Sequence, residues 1–151
     1  MSESVNHRKL AVGYFNAAWD LIDIKDRTPE QDRDMVGTAL ASRQHWIEAG
    51  GTDENLAVAD WQVAHTASLA GFGHVALSFA QAAVDRADSS DVPTWLKASA
   101  HEGLARAHAA AGDKVGFDRE VAVARALLET VSDAADRDLV ESQLASIPAP
   151  E

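Results

Sequence analysis

The chain contains no cysteine, which excludes disulfide bonds, thiolate nucleophiles and cysteine-ligated zinc. Proline is scarce, with four residues among 151. No segment alternates apolar and polar residues in the way a half-buried strand does, so we expect no sheet. No apolar run approaches the roughly 20 residues of a membrane-spanning helix either. The expected fold class is therefore all-α.

Positive charge is also in short supply, because 13 Lys and Arg residues stand against 24 Asp and Glu residues, for a net charge of −11. Nucleic-acid-binding proteins need a clustered basic surface, and the sequence contains no such cluster. An anionic membrane surface is disfavoured for the same reason. We therefore expect neither nucleic acid nor a membrane as a partner. The first ten residues lack the apolar core of a secretory signal, so the expected compartment is the cytoplasm.

Two helix-turn-helix units follow one another at a spacing of about 41 residues, the first at 56–87 and the second at 97–128. In each unit an alanine-rich helix stops at a glycine, Gly71 or Gly112, and a second helix begins at once. Because glycine adopts positive φ without steric cost, we expect both glycines at or just beyond helix C-termini, with at least one in the left-handed region. The pattern predicts a helical-repeat architecture.

Start and stop signals predict seven helices in all. The clearest start is the segment 28–31, where Thr28 precedes a proline in the first helical position and a glutamine that can complete a capping box. Thr52 and Ser132 are the predicted caps of the third and seventh helices. The predicted helices cover residues 5–23, 29–48, 53–70, 73–87, 93–111, 114–130 and a short segment after 132.

The seven helices predict a right-handed stack of three antiparallel pairs, in which the seventh helix covers the apolar end. Such a cap is needed because each repeat leaves an apolar face open to its neighbour. The stack is expected to form one domain over residues 1–147, followed by a frayed tail at 148–151.

The two units resemble tetratricopeptide repeats, in which small residues recur where the helices cross and a glycine closes the first helix. Phe117 replaces one of the expected alanines, and the spacing is about 41 residues rather than the usual 34. The matching residues are Ala64, Gly71, Ala76 and Ala83 in the first unit and Ala105, Gly112 and Ala124 in the second.

The chain is also similar to a group of small bacterial helical-repeat proteins. The similarity rests on four stretches, Trp19-Asp20-Leu21, Asp26-Arg27-Thr28-Pro29, Ala41-Ser42-Arg43-Gln44-His45-Trp46 and Trp61-Gln62. Both resemblances imply the fold, and neither transfers a catalytic residue.

The tetratricopeptide resemblance implies that the first helix of each pair lines a concave groove, which suits a peptide or a small polar ligand. Counting back 41 residues from Trp61 adds Asp20 on the first helix. The alternative for Glu102 and Arg106, which are four residues apart, is a simple structural ion pair. The implied groove residues are Trp61, His65 and Leu69 on the third helix and Glu102, Arg106 and Ala109 on the fifth.

Secondary candidates lie beside these positions or near the end of the second helix. Arg43 and His45 occupy the last turns of that helix, where the macrodipole favours positive charge. Trp46 is interpreted mainly as a core anchor and His45 as a structural histidine. Gln62 follows Trp61, and His101 precedes the predicted groove residue on the fifth helix.

The six histidines raise the possibility of a metal site, with His101 and His108 on one face of the fifth helix and Asp60 and His65 approaching from the third helix. The paired Glu-x-x-His motifs of di-metal bundles are absent, as is His-Glu-x-x-His. His101 and Glu102 are about 100° apart around a helix, so they are not expected to share one site. We therefore predict no metal and no cofactor.

The leading hypothesis is a binding module that holds a peptide segment, a small polar ligand or another protein in the groove. One alternative is a cofactor-free enzyme that uses His65 or His101 with Glu102 as an acid–base pair. The other is a purely structural role, with a homodimer formed through an exposed helix face.

Overall fold

The computed structural model describes residues 4–151, and these form seven α-helices without any strand. The all-helical prediction and the number of helices are therefore confirmed. No helix within this range is long and apolar enough to cross a membrane. The helices are α1 (His7–Ile22), α2 (Pro29–Glu48), α3 (Asp53–Leu69), α4 (Gly73–Asp88), α5 (Thr94–Ala110), α6 (Lys114–Leu128) and α7 (Ala134–Ala145).

Capping boxes begin α2 and α3, as the local sequence predicts for α2. The Thr28 hydroxyl accepts from the Gln31 backbone N–H at 3.2 Å, and the Gln31 side chain accepts from the Thr28 N–H at 2.9 Å. The same reciprocal pair joins Thr52 and Asn55 at the start of α3. Each box satisfies two backbone donors that a helix N-terminus otherwise leaves free.

Three helix starts differ from the predicted positions, and one of them is that of the fifth helix, which begins at Thr94 rather than at Pro93. The first helix begins at His7, two residues later than expected, because the Asn6 side chain caps it. The seventh helix is capped by Asp133 rather than Ser132, with the Asp133 carboxylate accepting from the Asp136 N–H at 2.9 Å. A carboxylate complements the positive end of the helix dipole, which a hydroxyl does less strongly.

The turns inside the second and third hairpins have the predicted glycine conformation. Gly71 has φ of 81° and Gly112 has φ of 76°, and each directly follows a C-cap alanine. Behind Gly71, the Phe72 N–H donates to the Ala67 carbonyl at 2.8 Å, which closes the helix in a Schellman motif. The prediction for both glycines is confirmed. Gly50, after α2, is also left-handed, with φ of 68°.

The helices pack as three hairpins, α1–α2, α3–α4 and α5–α6, that contact one another in sequence order. The leading helices α1, α3 and α5 also contact each other in series, and α7 packs on α5 and α6. Within residues 4–151, no Cα atom of α2 lies within 8 Å of a Cα atom of α4, and the same holds for α4 and α6. The leading helices therefore form an inner layer.

Alanine lets these helices approach closely. The central core buries Ala64, Ala67, Ala76, Ala80 and Ala83 completely. A second core joins α5, α6 and α7 around Leu128, Val140, Leu144 and Ile147. Small side chains shorten the distance between helix axes, so polar groups on neighbouring inner helices come within hydrogen-bonding distance.

Candidate functional site

The inner layer brings together four of the predicted groove residues, here called the inner cluster: Trp61 and His65 from α3 with Glu102 and Arg106 from α5. The Trp61 indole Nε1 donates to Glu102 Oε2 at 3.0 Å. Arg106 donates to Glu102 Oε1 through Nε at 3.1 Å and Nη2 at 3.0 Å. The His65 ring stacks on Trp61, with centroids 4.8 Å apart. The prediction that α3 and α5 are neighbours is confirmed.

The inner cluster is buried rather than open. The exposed fractions are 6% for Trp61, 8% for His65, 0% for Glu102 and 4% for Arg106. These side chains therefore do not line an accessible groove as the repeat resemblance implies. The interpretation of Glu102 and Arg106 as a structural ion pair fits this geometry, since both oxygens of the carboxylate accept hydrogen bonds within the core.

Trp19 of α1 covers one side of the inner cluster. Its ring centroid lies 6.0 Å from that of Trp61 and 5.8 Å from that of His65. Asp20, which counting by 41 residues assigned to the groove, is exposed. The residue that reaches the cluster is thus one position earlier, because the connector after α1 is longer than the turns at the equivalent points of the later hairpins.

Gly103 makes room for the Trp61 indole and was not predicted from the sequence. A Cβ at Gly103 would lie 2.7 Å from Trp61 Cδ1 and 3.1 Å from Nε1. Such a contact is much shorter than van der Waals distance, so any larger residue forces the indole or α5 to move. The signal in the sequence is a single glycine in the middle of the alanine-rich fifth helix, directly after the buried glutamate.

The C-terminal segment of the chain covers the other side of the cluster. Arg106 Nη2 donates to the Gln143 carbonyl at 3.0 Å and to the Ser146 hydroxyl at 2.7 Å. The next residues, Ile147 and Pro148, follow directly. The guanidinium therefore joins a carboxylate on its own helix to an irregular segment about 40 residues further along the chain.

A small cavity adjoins Arg106 at the C-terminal ends of the inner helices. It has a volume of about 170 Å³ and is lined by Ser68, Leu69, Arg106, Ala109, Ala110 and Pro148. Leu69 and Ala109 are among the groove residues that the repeat resemblance implied. The buried Ser68 hydroxyl has no hydrogen-bond partner within the chain, and neither does the nearby Gln143 Oε1. We call this space the Arg106 cavity.

Burial dominates the electrostatics of the inner cluster. Burial first, and then the positive charges of Arg106 and Arg27, lower the pKa of His65 to about 3. The imidazole is therefore neutral near pH 7, and its Nδ1 has no hydrogen-bond partner. Burial also raises the pKa of Glu102, and the guanidinium of Arg106 partly offsets that rise. The cluster thus contains one coupled ion pair beside a neutral ring.

The structure places the secondary candidate Arg43 in a structural contact between hairpins. Its Nε donates to the buried Asp60 carboxylate at 2.5 Å, and its guanidinium lies 5.2 Å from the centre of the Phe79 ring. Asp60 is 1% exposed, so the arginine neutralises a charge inside the core.

Several aromatic side chains pack together where the end of α2 meets α1. Trp46 is 8% exposed and packs in a small core, as interpreted from the sequence, with the Arg8 guanidinium 5.3 Å from its ring. His45 stacks between His7 and Tyr14, with centroids 5.2 Å and 5.7 Å away. The Nδ1 atoms of the two histidines are 2.9 Å apart and share a hydrogen bond. His45 therefore has a structural partner.

Gln62 and His101 point away from the inner cluster. Gln62 is fully buried and donates to the Phe15 carbonyl at 3.0 Å. His101 lies between α4 and α6, with Nδ1 2.6 Å from Glu120 and Nε2 3.1 Å from Asp88. We call His101 with these two carboxylates the outer cluster. His101 and Glu102 thus have different partners on different sides of α5, as their separation of about 100° predicts.

Within residues 4–151, no three His, Asp or Glu side chains are grouped so that they could hold a metal ion. Comparisons of the chain with family models, with curated proteins and with solved structures found no match. Any functional argument therefore has to start from the geometry of the inner layer itself.

Proposed function

We propose that the three hairpins form a right-handed, tetratricopeptide-like stack. The contacts among α1, α3 and α5 support this arrangement, because a curved stack brings its inner helices together and spreads its outer ones. The wider separation of the α2 and α4 backbones also supports it, since no two of their Cα atoms in the described range lie within 8 Å of each other. The position of α7 on α5 and α6 is that expected of a terminal capping helix.

We further propose that the protein is an interaction module whose inner surface binds a peptide segment at the Arg106 cavity. The observation that carries the proposal is the pairing of Arg106 with the chain's own C-terminal segment, through one carbonyl and one hydroxyl. Both acceptors belong to a stretch where the last helix ends. The site therefore already binds the polar groups of a polypeptide segment, the C-terminal end of α7.

The lining of the cavity suits a short peptide better than an apolar ligand. The Ser68 hydroxyl is buried and unpaired, so a ligand that hydrogen-bonds to it removes a desolvation cost. Leu69, Ala109 and Ala110 supply an apolar wall for one side chain. Pro148 closes the opposite side, so displacement of residues 148–151 enlarges the cavity.

The geometry favours this binding role over the acid–base enzyme. A histidine with a pKa of about 3 is a weak base and holds no proton near neutral pH, so His65 is poorly matched to proton transfer. Glu102 is occupied by hydrogen bonds from Trp61 and Arg106. His101, the other candidate base, lies on the far side of α5 between two carboxylates.

The experiment is selection from a phage-displayed peptide library, run against the full chain and against a variant that lacks residues 148–151. We expect the truncated variant to enrich the same peptides more strongly, because Pro148 no longer closes the cavity. Binding is then followed through the Trp61 indole N–H resonance, which reports on the hydrogen bond to Glu102 next to the cavity.

Two variants locate the binding site. Ser68→Ala removes a hydroxyl that has no partner, so it leaves the melting temperature unchanged but weakens the selected peptides by about fivefold, the value of one hydrogen bond. Ala110→Leu fills the cavity from an exposed helix position and abolishes binding. Peptides that bind the Ala110→Leu variant as well as the wild type would show that the cavity is not the site.

A further inference from the structure

The first hairpin has a partly apolar surface on the side away from the stack. Leu10 of α1 contributes to it with an exposed fraction of 37%. Tyr14, which is 39% exposed, lies between two shallow depressions of this surface. We call this surface the outer face, and its central residues are Leu10, Gly13, Tyr14 and Ala17 of α1 with Gly37 and Ala41 of α2.

Two glycines in this surface have no role within the chain. Gly13 and Gly37 lie in the middle of α1 and α2, and neither has positive φ. A Cβ at either position would meet nothing within 4 Å, whereas a Cβ at Gly103 would collide with Trp61. Glycine inside a helix costs about 1 kcal/mol relative to alanine. Two bare stretches of helix backbone on one exposed face permit close approach by another helix.

The two ends of the molecule are covered differently. At the C-terminal end, α7 packs on α5 and α6 and buries Val140 and Leu144. At the N-terminal end, α1 and α2 contact each other and α3, and no helix of the described chain covers their outer face. A stack of helical hairpins leaves an apolar surface at each end, and here only one end is covered from within the chain.

Opposite charges lie at the two ends of the outer face. Lys9, near the start of α1, borders one depression, and Asp34, near the start of α2 at the opposite end of the antiparallel hairpin, borders the other, beside Arg33. A two-fold axis between α1 and α2 brings Lys9 of one copy towards Asp34 of the other. It also brings the two mid-helix glycines of the two copies together.

From this surface we infer that two copies of the chain associate through their outer faces as a symmetric dimer. Lys9 of each copy lies near Asp34 of the second copy, and Gly13 lies against Gly37 of the second copy. The contact is isologous, so the pairing is closed and does not extend into filaments. The Arg106 cavity lies at the other side of the molecule and stays free in each copy, so this inference does not depend on the proposed function.

Sedimentation equilibrium of the full chain is the test, at concentrations up to about 1 mM. We expect a species of twice 16.1 kDa. Gly13→Arg and Gly37→Arg should each yield monomers while circular dichroism and melting temperature show an intact fold, since both positions open into free space. Ser78→Arg is the matched control, because it adds the same side chain at an exposed position of α4 and leaves the dimer intact.

A charge swap tests the orientation. Lys9→Asp and Asp34→Lys should each weaken the dimer by about tenfold, because each places like charges opposite one another. The double variant should restore wild-type affinity. A wild-type chain that stays monomeric throughout the concentration range overturns the inference and assigns the face to a different protein. A dimer that persists in both glycine variants also overturns it, because the copies then meet elsewhere.

Discussion

The inner and outer clusters each contain one buried histidine, and the comparison shows that burial alone does not decide what a histidine does. His65 and His101 are both 8% exposed. His101 has a carboxylate hydrogen-bonded to each ring nitrogen, at 2.6 Å and 3.1 Å. His65 has aromatic rings against it, arginine charges near it and an Nδ1 without a partner. The two histidines therefore differ in the side chains that the facing helices place beside their rings, and not in how deeply they are buried.

The ion pairs of the two clusters differ in the same way. Glu102 is fully buried and receives its hydrogen bonds from Trp61 and Arg106. In the outer cluster Asp88 is about half exposed, so solvent shares the stabilisation of its charge. Removing Arg106 from the inner cluster therefore leaves an uncompensated buried charge, whereas removing His101 from the outer cluster leaves Asp88 in contact with solvent and Glu120 paired with Arg119.

The largest expected effect is that of Arg106→Ala. The substitution leaves the Glu102 carboxylate buried without its cation and releases the segment at Ser146, so we expect a loss of about 3–5 kcal/mol in the free energy of unfolding. Urea denaturation measures it. The double variant Glu102→Gln with Arg106→Met retains an acceptor for Trp61 and should lose less. A loss below about 1 kcal/mol for Arg106→Ala would place the pair among solvated surface contacts.

Lowering the pH should reduce the free energy of unfolding, because His65 is buried in its neutral form. The unfolded chain binds a proton at this residue below its ordinary pKa of 6.5, whereas the folded chain does so only near pH 3. The unfolded state therefore binds more protons between these values, and the free energy of unfolding falls by about 1.4 kcal/mol for each pH unit from 6.5 downward, or about 3 kcal/mol by pH 4.

The variant His65→Phe isolates this contribution, because it keeps a ring against Trp61 and cannot titrate. The raised pKa of Glu102 acts in the opposite direction, since it lowers the free energy of unfolding as pH rises above 4.5. This contribution is present in both the wild type and the variant, so it cancels in their difference. We expect the difference in stability between wild type and variant to change in favour of the variant as pH falls. A difference that is constant from pH 7 to about pH 4 contradicts the assignment.

Gly103→Ala probes the steric fit of the inner cluster. The new methyl group would lie 2.7 Å from Trp61, so we expect a loss of about 1–3 kcal/mol in thermal or urea unfolding. Gly37→Ala is the matched control, because the same change in open space should stabilise α2 by up to about 1 kcal/mol. Equal effects of the two substitutions would mean that helix propensity, rather than contact with the indole, decides the outcome.

The smallest expected effect is the difference in the free energy of unfolding between two histidine variants near pH 7. His101→Phe removes hydrogen bonds to Glu120 and Asp88 and should cost about 1–2 kcal/mol. His65→Phe removes an imidazole whose Nδ1 has no partner and should cost less than about 1 kcal/mol. Urea unfolding of both variants in the same buffer measures the difference. The reverse order would show that the stacking of His65 stabilises the fold more than hydrogen bonding of His101 does.

The fold was largely predictable because its signals are local. The capping box at Thr28 and the left-handed turns at Gly71 and Gly112 follow from single residues and their near neighbours. The approach of Trp61 to Glu102 followed from the 41-residue repeat, which places equivalent positions on adjacent inner helices.

The burial of the inner cluster was not predictable from the 41-residue repeat. It depends on Trp19, whose register is set by an irregular connector, and on Ser146, which lies beyond the repeated units. The partners of His101 belong to the end of α4 and to α6, and no periodicity relates their positions. Gly103 was missed because a glycine in a helix is informative only when the neighbouring side chain is known.

The hydrogen bonds of Arg106 also bear on how the chain is made. Glu102 is four residues away and becomes available as soon as α5 forms, but Gln143 and Ser146 lie 37 and 40 residues further along. These residues are synthesised after the three hairpins. Hairpins near the N-terminus can fold during translation, while the middle of the inner layer is sealed only once α7 has been made. Until that moment the guanidinium remains open to chaperones and to other chains.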